Sequence, residues 1–222
     1  MFGGRNMNIK HLKVNQLINP LGIDKQPVRL TWELECCLLQ TAIEIRTRLN
    51  GGEWTTSGKV ESKETFYVLD KEFPSRSRVD WQVRVWNEEG EVSEWSAIGT
   101  FEIGLLHKED WKAMWIEPEE DIDPSEHQPA SIVRKTFAVA NTDNARLYIT
   151  ALGLYEAKLN GHRVGDFVLA PGTSTYEKRV HYQTYDISPL LIKGENTLEV
   201  TMGDGWFRSV SGVDGIRNLF GE

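Results

Sequence analysis

Residues suited to binding chemistry gather near the end of the sequence, in GDGWFRSVSGVDGIRNLFGE (203–222). Trp206 stands between glycine-spaced turns, with Asp204 and Arg208 beside it. A sugar-binding surface sets an aromatic face against the C–H patches of the ring and uses flanking polar groups for the hydroxyls. Three interpretations of the segment therefore stay open: a sugar-contact loop, a structural turn, or the point at which a longer domain is cut.

The sequence contains none of the short motifs that mark common catalytic centres. There is no G-x-S-x-G elbow, no H-E-x-x-H helix and no glycine-rich loop followed by Lys-Ser or Lys-Thr. Carboxylates are plentiful, but the pairing of two for acid–base work does not follow from their separation along the chain. The five histidines are scattered, which favours surface roles: His11, His107, His127, His162 and His181. We therefore nominate no catalytic residue.

The sequence also offers no metal site. The acidic stretch EPEEDIDPSE (117–126) lacks the D-x-D-x-D-G spacing and distal Glu of a calcium loop, so a surface linker is the simpler interpretation. Cys36 and Cys37 are adjacent, and a disulfide between neighbouring strand residues would be strained. Because MFGGRNMNIKHLKVNQL (1–17) has no apolar signal region, these features together favour a cytoplasmic protein.

Length and charge narrow the classes of partner. At 222 residues the chain is long enough for one large domain or two ordinary ones. The formal net charge of -8 argues against a nucleic-acid partner, because phosphate contacts need clustered Lys and Arg. No apolar run approaches the roughly 18 residues of a membrane span, so no membrane partner is expected. A neutral partner such as a sugar is compatible with this charge.

Apolar residues alternate with polar ones along most of the chain, which is typical of β-strands rather than helices. The first strand signal, QPVRLTWELE, places four apolar side chains on one face: Val28, Leu30, Trp32 and Leu34. Further strands are predicted in QTAIEIRTRL (40–49), RVDWQVRVWNEEGEVSEWS (78–96) and FEIG (101–104). Short strands at regular spacing predict a β-sandwich of about 100 residues, which we assign to residues 1–105.

A second β-sandwich is predicted for residues 131–222, after a linker of residues 106–130. Asn160-Gly161 is the strongest short-range hairpin signal that a sequence offers. The strand signals are SIVRKTFAV (131–139), NARLYITALGLYEAKLNGHRVGD (144–166), HYQTYDIS (181–188) and NTLEVTMGDG (196–205). We therefore expect an all-β chain in which this second domain is an antiparallel, jelly-roll-like sandwich.

The second half resembles the N-terminal β-sandwich region of bacterial α-L-rhamnosidases, and the first half resembles the fibronectin type III-like module that precedes it. In the second half the resemblance is carried by ARLYITALGLYEAKLNGHRVGD (145–166), LAPGTSTYEKRVHYQTYDIS (169–188), LLIKGENTLEV (190–200) and GDGWFRSVSG (203–212). In the first half it is carried by Trp32 in TWEL and by the segment from YVL to SEWS (67–96), with DWKAMWI (110–116) as the join.

The resemblance implies a parent enzyme that removes terminal α-L-rhamnose by an inverting mechanism with two carboxylates. In this family those carboxylates lie in an α/α barrel downstream of these modules. The implied partners are therefore the downstream catalytic domain of the same protein and a rhamnose-containing glycoside. This chain is expected to be a non-catalytic N-terminal part, inactive alone, with its second sandwich truncated at the C-terminus.

One loop departs from the family pattern. Relatives often read PGWTDY where this chain has PGTSTY (171–176), so a Trp and an Asp are replaced. Some relatives use this sandwich as a calcium-dependent rhamnose-binding module, and the departure argues against calcium here, so no cofactor is expected. Tyr176 and Arg179 join the sugar-contact candidates Asp204, Trp206 and Arg208. Two alternatives stay open: a stand-alone binding module for rhamnose or a related sugar, and an interaction domain of another sandwich protein.

Overall fold

The computed structural model describes residues 7–35, 39–119, 129–209 and 220. The chain divides into two compact units, Met1–Lys112 and Ala113–Glu222. Among the described residues, helical structure is limited to short single turns, and strands account for the rest of the regular structure. The prediction of an all-β chain with two β-sandwich domains is confirmed.

The first unit is built from two antiparallel sheets. Its strands are β1 (Asn8–Val14), β2 (Val28–Glu35), β3 (Ala42–Leu49), β4 (Thr55–Thr56), β5 (Val60–Glu61), β6 (Phe66–Leu69), β7 (Arg78–Trp86) and β8 (Gly99–Glu102). One sheet has the order β1-β2-β6. The other has the order β4-β3-β7-β8, with β5 also paired to β3.

The core of the first unit lies between these sheets and follows from the alternation of the strands. Val28, Leu30 and Trp32 are all buried, as the sequence predicts, whereas Leu34 is only half-buried. The indole nitrogen of Trp32 donates a 3.1 Å hydrogen bond to the side-chain oxygen of Gln40, which satisfies its one polar atom. Sixteen buried apolar residues form one continuous cluster.

The outer face of the β3–β7 pair is also covered, although alternation predicts a solvated face. Here two arginines and three tryptophans alternate in the order Trp54, Arg46, Trp95, Arg84, Trp86, which we call the Trp–Arg ladder. The guanidinium carbon of Arg46 lies 4.6 Å from the ring centroid of Trp54 and 4.2 Å from that of Trp95. That of Arg84 lies 4.7 Å from Trp95 and 5.3 Å from Trp86. The ladder shields the polar side chains beneath it.

Glu44 shows the consequence of this cover. It is buried on the outer side of β3, where its carboxylate accepts hydrogen bonds of 2.5 Å from the Thr56 hydroxyl and 2.7 Å from Arg84. Burial alone would raise the pKa of Glu44, but these two hydrogen bonds and the nearby guanidinium charges outweigh it and hold the pKa below its ordinary value. Glu44 is therefore a charged structural group of the sheet.

The second unit has one larger and one smaller antiparallel sheet. Its strands are β9 (Ser131–Val139), β10 (Arg146–Ile149), β11 (Leu154–Leu159), β12 (His162–Arg163), β13 (Gln183–Asp186) and β14 (Gly194–Gly203). The larger sheet has the order β12-β11-β14-β9, and β10 pairs with β13 in the smaller one. The predicted hairpin is confirmed, because Asn160 and Gly161 connect β11 to β12 with φ values of 52° and 81°.

The core of the second unit is much smaller than that of the first. Among its described residues, five apolar ones are buried: Tyr155, Ala157, Leu159, Val164 and Ala170. Ten further hydrophobic residues pack against them but stay partly exposed, including Leu198 and Val200 of β14. In the described part of the chain, therefore, two four-residue strands and their loops cover a four-stranded sheet incompletely.

Candidate functional site

The candidate site begins where β14 ends. The chain leaves Gly203, and residues Gly205–Arg208 form a single helical turn, α1. A Cβ atom on Gly153, which directly precedes β11, would lie 2.1 Å from the carbonyl oxygen of Gly203, so the two backbones approach too closely here for a side chain on Gly153. Gly205 has a φ of 52°, in the left-handed region that glycine favours. Backbone conformation and close packing thus account for Gly205, whereas a Cβ atom on Gly203 would meet nothing within 4 Å.

Three of the predicted sugar-contact residues lie on this turn. Arg208 and Asp204 form an ion pair of 3.3 Å, so their charges are directed largely at each other. The carbonyl oxygen of Asp204 also accepts the backbone N–H groups of Phe207 and Arg208 at 3.2 and 3.3 Å. Trp206 is 39% exposed, so its indole is the part of the turn that is available to a ligand.

Tyr176 and Arg179, the other two candidates, lie on a neighbouring loop and differ in environment. The ring of Tyr176 packs edge-on against Phe207 at 5.2 Å and lies 5.1 Å from Phe220. The ring is therefore part of an aromatic cluster. Arg179 is exposed, and its backbone N–H donates to the carbonyl oxygen of Thr175 at 3.0 Å. The structure thus joins Tyr176 to α1, and no contact places Arg179 on that turn within the described residues.

Phe207 is the residue that sequence reasoning missed at this site. It follows Trp206 directly, and neighbouring residues of a helical turn point in different directions. An exposed Trp206 therefore leaves Phe207 to face the protein, where it meets Tyr176. The adjacent aromatic pair was the signal that would have revealed this packing.

A second polar cluster lies inside the same unit and belongs to its core. The hydroxyl of Tyr155 donates to the side-chain oxygen of Gln183 at 2.7 Å and lies 3.3 Å from the hydroxyl of Tyr185. Burial, with the hydrogen bond and charge of Tyr185, raises the pKa of Tyr155 far above its usual value. This phenol stays protonated and ties the smaller sheet to the larger one.

The sequence predicts neither a metal site nor a membrane partner, and the described residues can be compared with both expectations. Among them, no group of three His, Cys, Asp or Glu residues lies close enough together to hold a metal ion. Residues 120–126 of the acidic stretch, together with Cys36 and Cys37, lie outside the described residues. No helix of the described part is long and apolar enough to cross a membrane. The cytoplasmic location stays a prediction.

Two family models match the chain in series. The model of the Rha78A-like N-terminal immunoglobulin domain matches residues 9–107, and the model of the α-L-rhamnosidase N-terminal domain matches residues 140–222. The chain carries the N-terminal domains of the α-L-rhamnosidase family. The resemblance predicted from the sequence is thereby confirmed. The family model describes the first module as immunoglobulin-like where we expected a fibronectin type III-like one, and both have the β-sandwich architecture.

Individual relatives agree with this assignment. An α-L-rhamnosidase from Formosa agariphila is 36% identical over 217 residues, which cover 89% of this chain and 23% of the relative. The crystal structure of native α-L-rhamnosidase from Aspergillus terreus matches with a TM-score of 0.86 and 32% identity over 97% of this chain and 26% of that one. The structure of α-L-rhamnosidase from Dictyoglumus thermophilum matches with a TM-score of 0.79 and 34% identity, over 90% of this chain and 25% of that one.

The chain therefore spans about a quarter of the length of the curated relatives that it matches. These relatives are all named α-L-rhamnosidases. The homology concerns their N-terminal part.

Proposed function

We propose that this chain is the non-catalytic N-terminal part of an α-L-rhamnosidase, which supports the catalytic domain and helps to shape access of the substrate. The parent enzyme would remove terminal α-L-rhamnose from a rhamnose-containing glycoside. The observation that carries the proposal is the serial match of both N-terminal domains to relatives about four times as long.

The small core of the second unit supports this reading. A sandwich whose described residues include five buried apolar ones and ten more that stay partly exposed gains little from burial by itself. Such a domain is stabilised when further polypeptide covers the open face, because the partly exposed side chains are then removed from water. A larger parent protein supplies that cover.

The absence of catalytic motifs from the sequence leads to a second element of the proposal. Glycoside hydrolysis by inversion uses one carboxylic acid to protonate the leaving oxygen and one carboxylate to activate water, with about 6.5–9.5 Å between them. We expect both groups to belong to the downstream catalytic domain. This chain alone would therefore be inactive.

The test compares the 222-residue chain with the whole gene product on an aryl α-L-rhamnoside. We expect turnover by the whole product and none by the chain, and NMR of the first-formed sugar should show the inverted anomer. Turnover by the chain alone would contradict the placement of the catalytic groups. A stop codon directly after Glu222 would contradict the parent enzyme, and a retained anomer would contradict inversion.

A stand-alone module for rhamnose or a related sugar is the second candidate, favoured by the exposed indole of Trp206 beside the Asp204–Arg208 pair. Titration calorimetry with L-rhamnose, with and without calcium, tests it. Binding heat that disappears in Trp206→Ala, but not in a control variant at the exposed Trp115, would support the module. No heat in either condition would exclude it.

A further inference from the structure

Three consecutive apolar residues of the second unit point into solvent. Phe167 is 60% exposed, Val168 70% and Leu169 56%, and we call these residues, 167–169, the apolar tip. Single exposed apolar side chains are common on protein surfaces, but contiguous ones mark interaction sites. The apolar tip therefore needs an explanation beyond the stability of its own unit.

The apolar tip is held at both ends by hydrogen bonds. Before it, the guanidinium of Arg163 donates to the carbonyl oxygen of Phe167 at 2.8 Å. After it, the backbone N–H of Tyr155 donates to the carbonyl oxygen of Ala170 at 2.8 Å, and that of Gly172 donates to Leu169 at 2.9 Å. Ala170 itself is buried in the core. The backbone that carries the three side chains is thus held in place, which lowers the entropic cost of binding.

The backbone of Leu169 has an unfavourable conformation. Its φ is 58°, in the left-handed region, whereas the other described non-glycine residues with positive φ are Asn, Gln, His or Arg. Asn enters this region far more readily than an aliphatic residue. A leucine at this position therefore destabilises the second unit. Because its side chain is exposed, burial of apolar surface offsets little of that loss. Strain of this kind is often kept where a side chain has a functional contact.

We propose that the apolar tip docks into an apolar pocket on another part of its own parent protein. That part corresponds to the three quarters of the relatives that this chain does not cover. The proposal rests on the proposed function, which supplies that polypeptide. A covalently linked partner is present at a high effective concentration, so a contact of three side chains is sufficient.

Two other occupants fit the apolar tip less well. A sugar needs hydrogen-bond partners for its hydroxyls, and the three side chains of the tip offer none. An anionic membrane surface attracts basic segments, whereas Asp166 precedes the tip and the chain carries a formal net charge of -8. An apolar protein surface is the partner that matches this chemistry.

Oxidative footprinting tests the docking directly. Hydroxyl-radical oxidation of Phe167 is measured in the 222-residue chain and in the whole gene product at equal concentration, with both proteins unfolded in urea as the reference. We expect Phe167 to react at least severalfold more slowly in the whole product. Equal rates would overturn the proposal, as would protection that arises in the chain alone when its concentration is raised, because the occupant would then be a second copy.

Substitution of Leu169 gives a test in which two readouts move differently. Leu169→Asn relieves the backbone strain, so the unfolding midpoint of the 222-residue chain should not fall. In the whole product the lost leucine should weaken docking by about ten- to a hundredfold, and oxidation of Phe167 should rise. Ile192→Asn is the matched control, because Ile192 is 57% exposed in the same unit but lies outside the tip.

The outcomes separate this proposal from the proposed function. A whole product that hydrolyses the aryl rhamnoside but leaves Phe167 fully reactive would overturn the docking and keep the enzyme. A protected Phe167 in a product without rhamnosidase activity would keep the docking and overturn the enzyme. A Leu169→Asn whole product whose Phe167 stays as protected as in the wild type would show that Leu169 is not part of the contact and would also overturn the docking.

Discussion

Truncation of Trp95 to alanine should destabilise the first unit by about 3 kcal/mol. The indole is half-buried in the Trp–Arg ladder, where Arg46 lies 4.2 Å and Arg84 4.7 Å from its ring. Two cation–π contacts at such sites contribute about 1–2 kcal/mol together. Loss of the half-buried ring surface adds about 2 kcal/mol, roughly half the cost of truncating a fully buried aromatic residue.

A second substitution separates these two contributions. Trp95→Leu keeps most of the apolar cover and removes the π face, so we expect a loss of about 1–2 kcal/mol. A double-mutant cycle between Trp95→Leu and Arg46→Met should show a coupling free energy of about 0.5–1 kcal/mol. Arg48→Met is the control partner, because Arg48 lies over Trp54, at 4.8 Å.

Urea unfolding followed by tryptophan fluorescence is a suitable assay, because six of the eight tryptophans lie in the unit that spans Met1–Lys112. If Trp95→Leu were as stable as the wild type, the cation–π contacts would contribute nothing to the stability of the first unit. If the cycle with Arg46→Met showed no more coupling than the cycle with Arg48→Met, burial alone would explain the cost of Trp95→Ala.

Three further predictions concern groups whose surroundings are equally well defined. Because folding lowers the pKa of Glu44, its carboxylate stabilises the first unit above the unfolded pKa of about 4.3 and loses that effect as the pH falls through the lower folded value. The urea midpoint of Glu44→Gln should therefore fall less steeply than that of the wild type between about pH 6 and pH 3. Gly153→Ala should destabilise the second unit by about 1–3 kcal/mol in thermal unfolding. Gly203→Ala, where a Cβ meets nothing within 4 Å, should have little effect. Asn196 is 1% exposed and bonded to three backbone groups of its turn, so Asn196→Ala should cost about 2–3 kcal/mol, measured by circular dichroism.

The strands that sequence reasoning found are those with unbroken alternation. The predicted strand over residues 131–139 coincides with β9, and the hairpin at Asn160-Gly161 is where the sequence places it. β1 was not predicted, because its register shifts between Lys10 and Lys13 and His11 has a φ of 51°. A bulge of this kind adds a residue and moves the next apolar side chain to the other parity. The alternation of apolar and polar residues is therefore broken in β1, and the sequence pattern does not indicate a strand there.

The burial of Glu44 and Gln82 was also beyond the alternation rule. That rule assigns the outer face of an antiparallel sheet to solvent. Here the side chains of Trp54 and Trp95 lie over that face, although neither residue belongs to β3 or β7. Such cover depends on how loops fold back over the sheet, which a single strand does not encode. Arginines at alternate positions of β3, opposite tryptophans in the loops, were the available signal.

At the candidate site the sequence indicated which residues share a turn, but not which contacts their side chains make. Trp206, Asp204 and Arg208 share one turn, as their adjacency requires. The ion pair between Asp204 and Arg208 and the packing of Tyr176 on Phe207 depend on side-chain directions, and residue types alone do not determine these. Whether these residues contact a sugar stays a prediction that the calorimetric comparison with Trp206→Ala decides.

The two units differ in how far they cover their own apolar surfaces, and this difference indicates which unit has a partner. The first unit buries sixteen apolar residues between its sheets and covers an outer face with its own tryptophans and arginines. In the described part of the second unit, five apolar residues are buried, the inner side of β14 is partly exposed and the apolar tip lies in solvent. Apolar surface that a domain does not bury itself is stabilised by a partner. We therefore expect the second unit to be the one that contacts further polypeptide of the proposed parent protein.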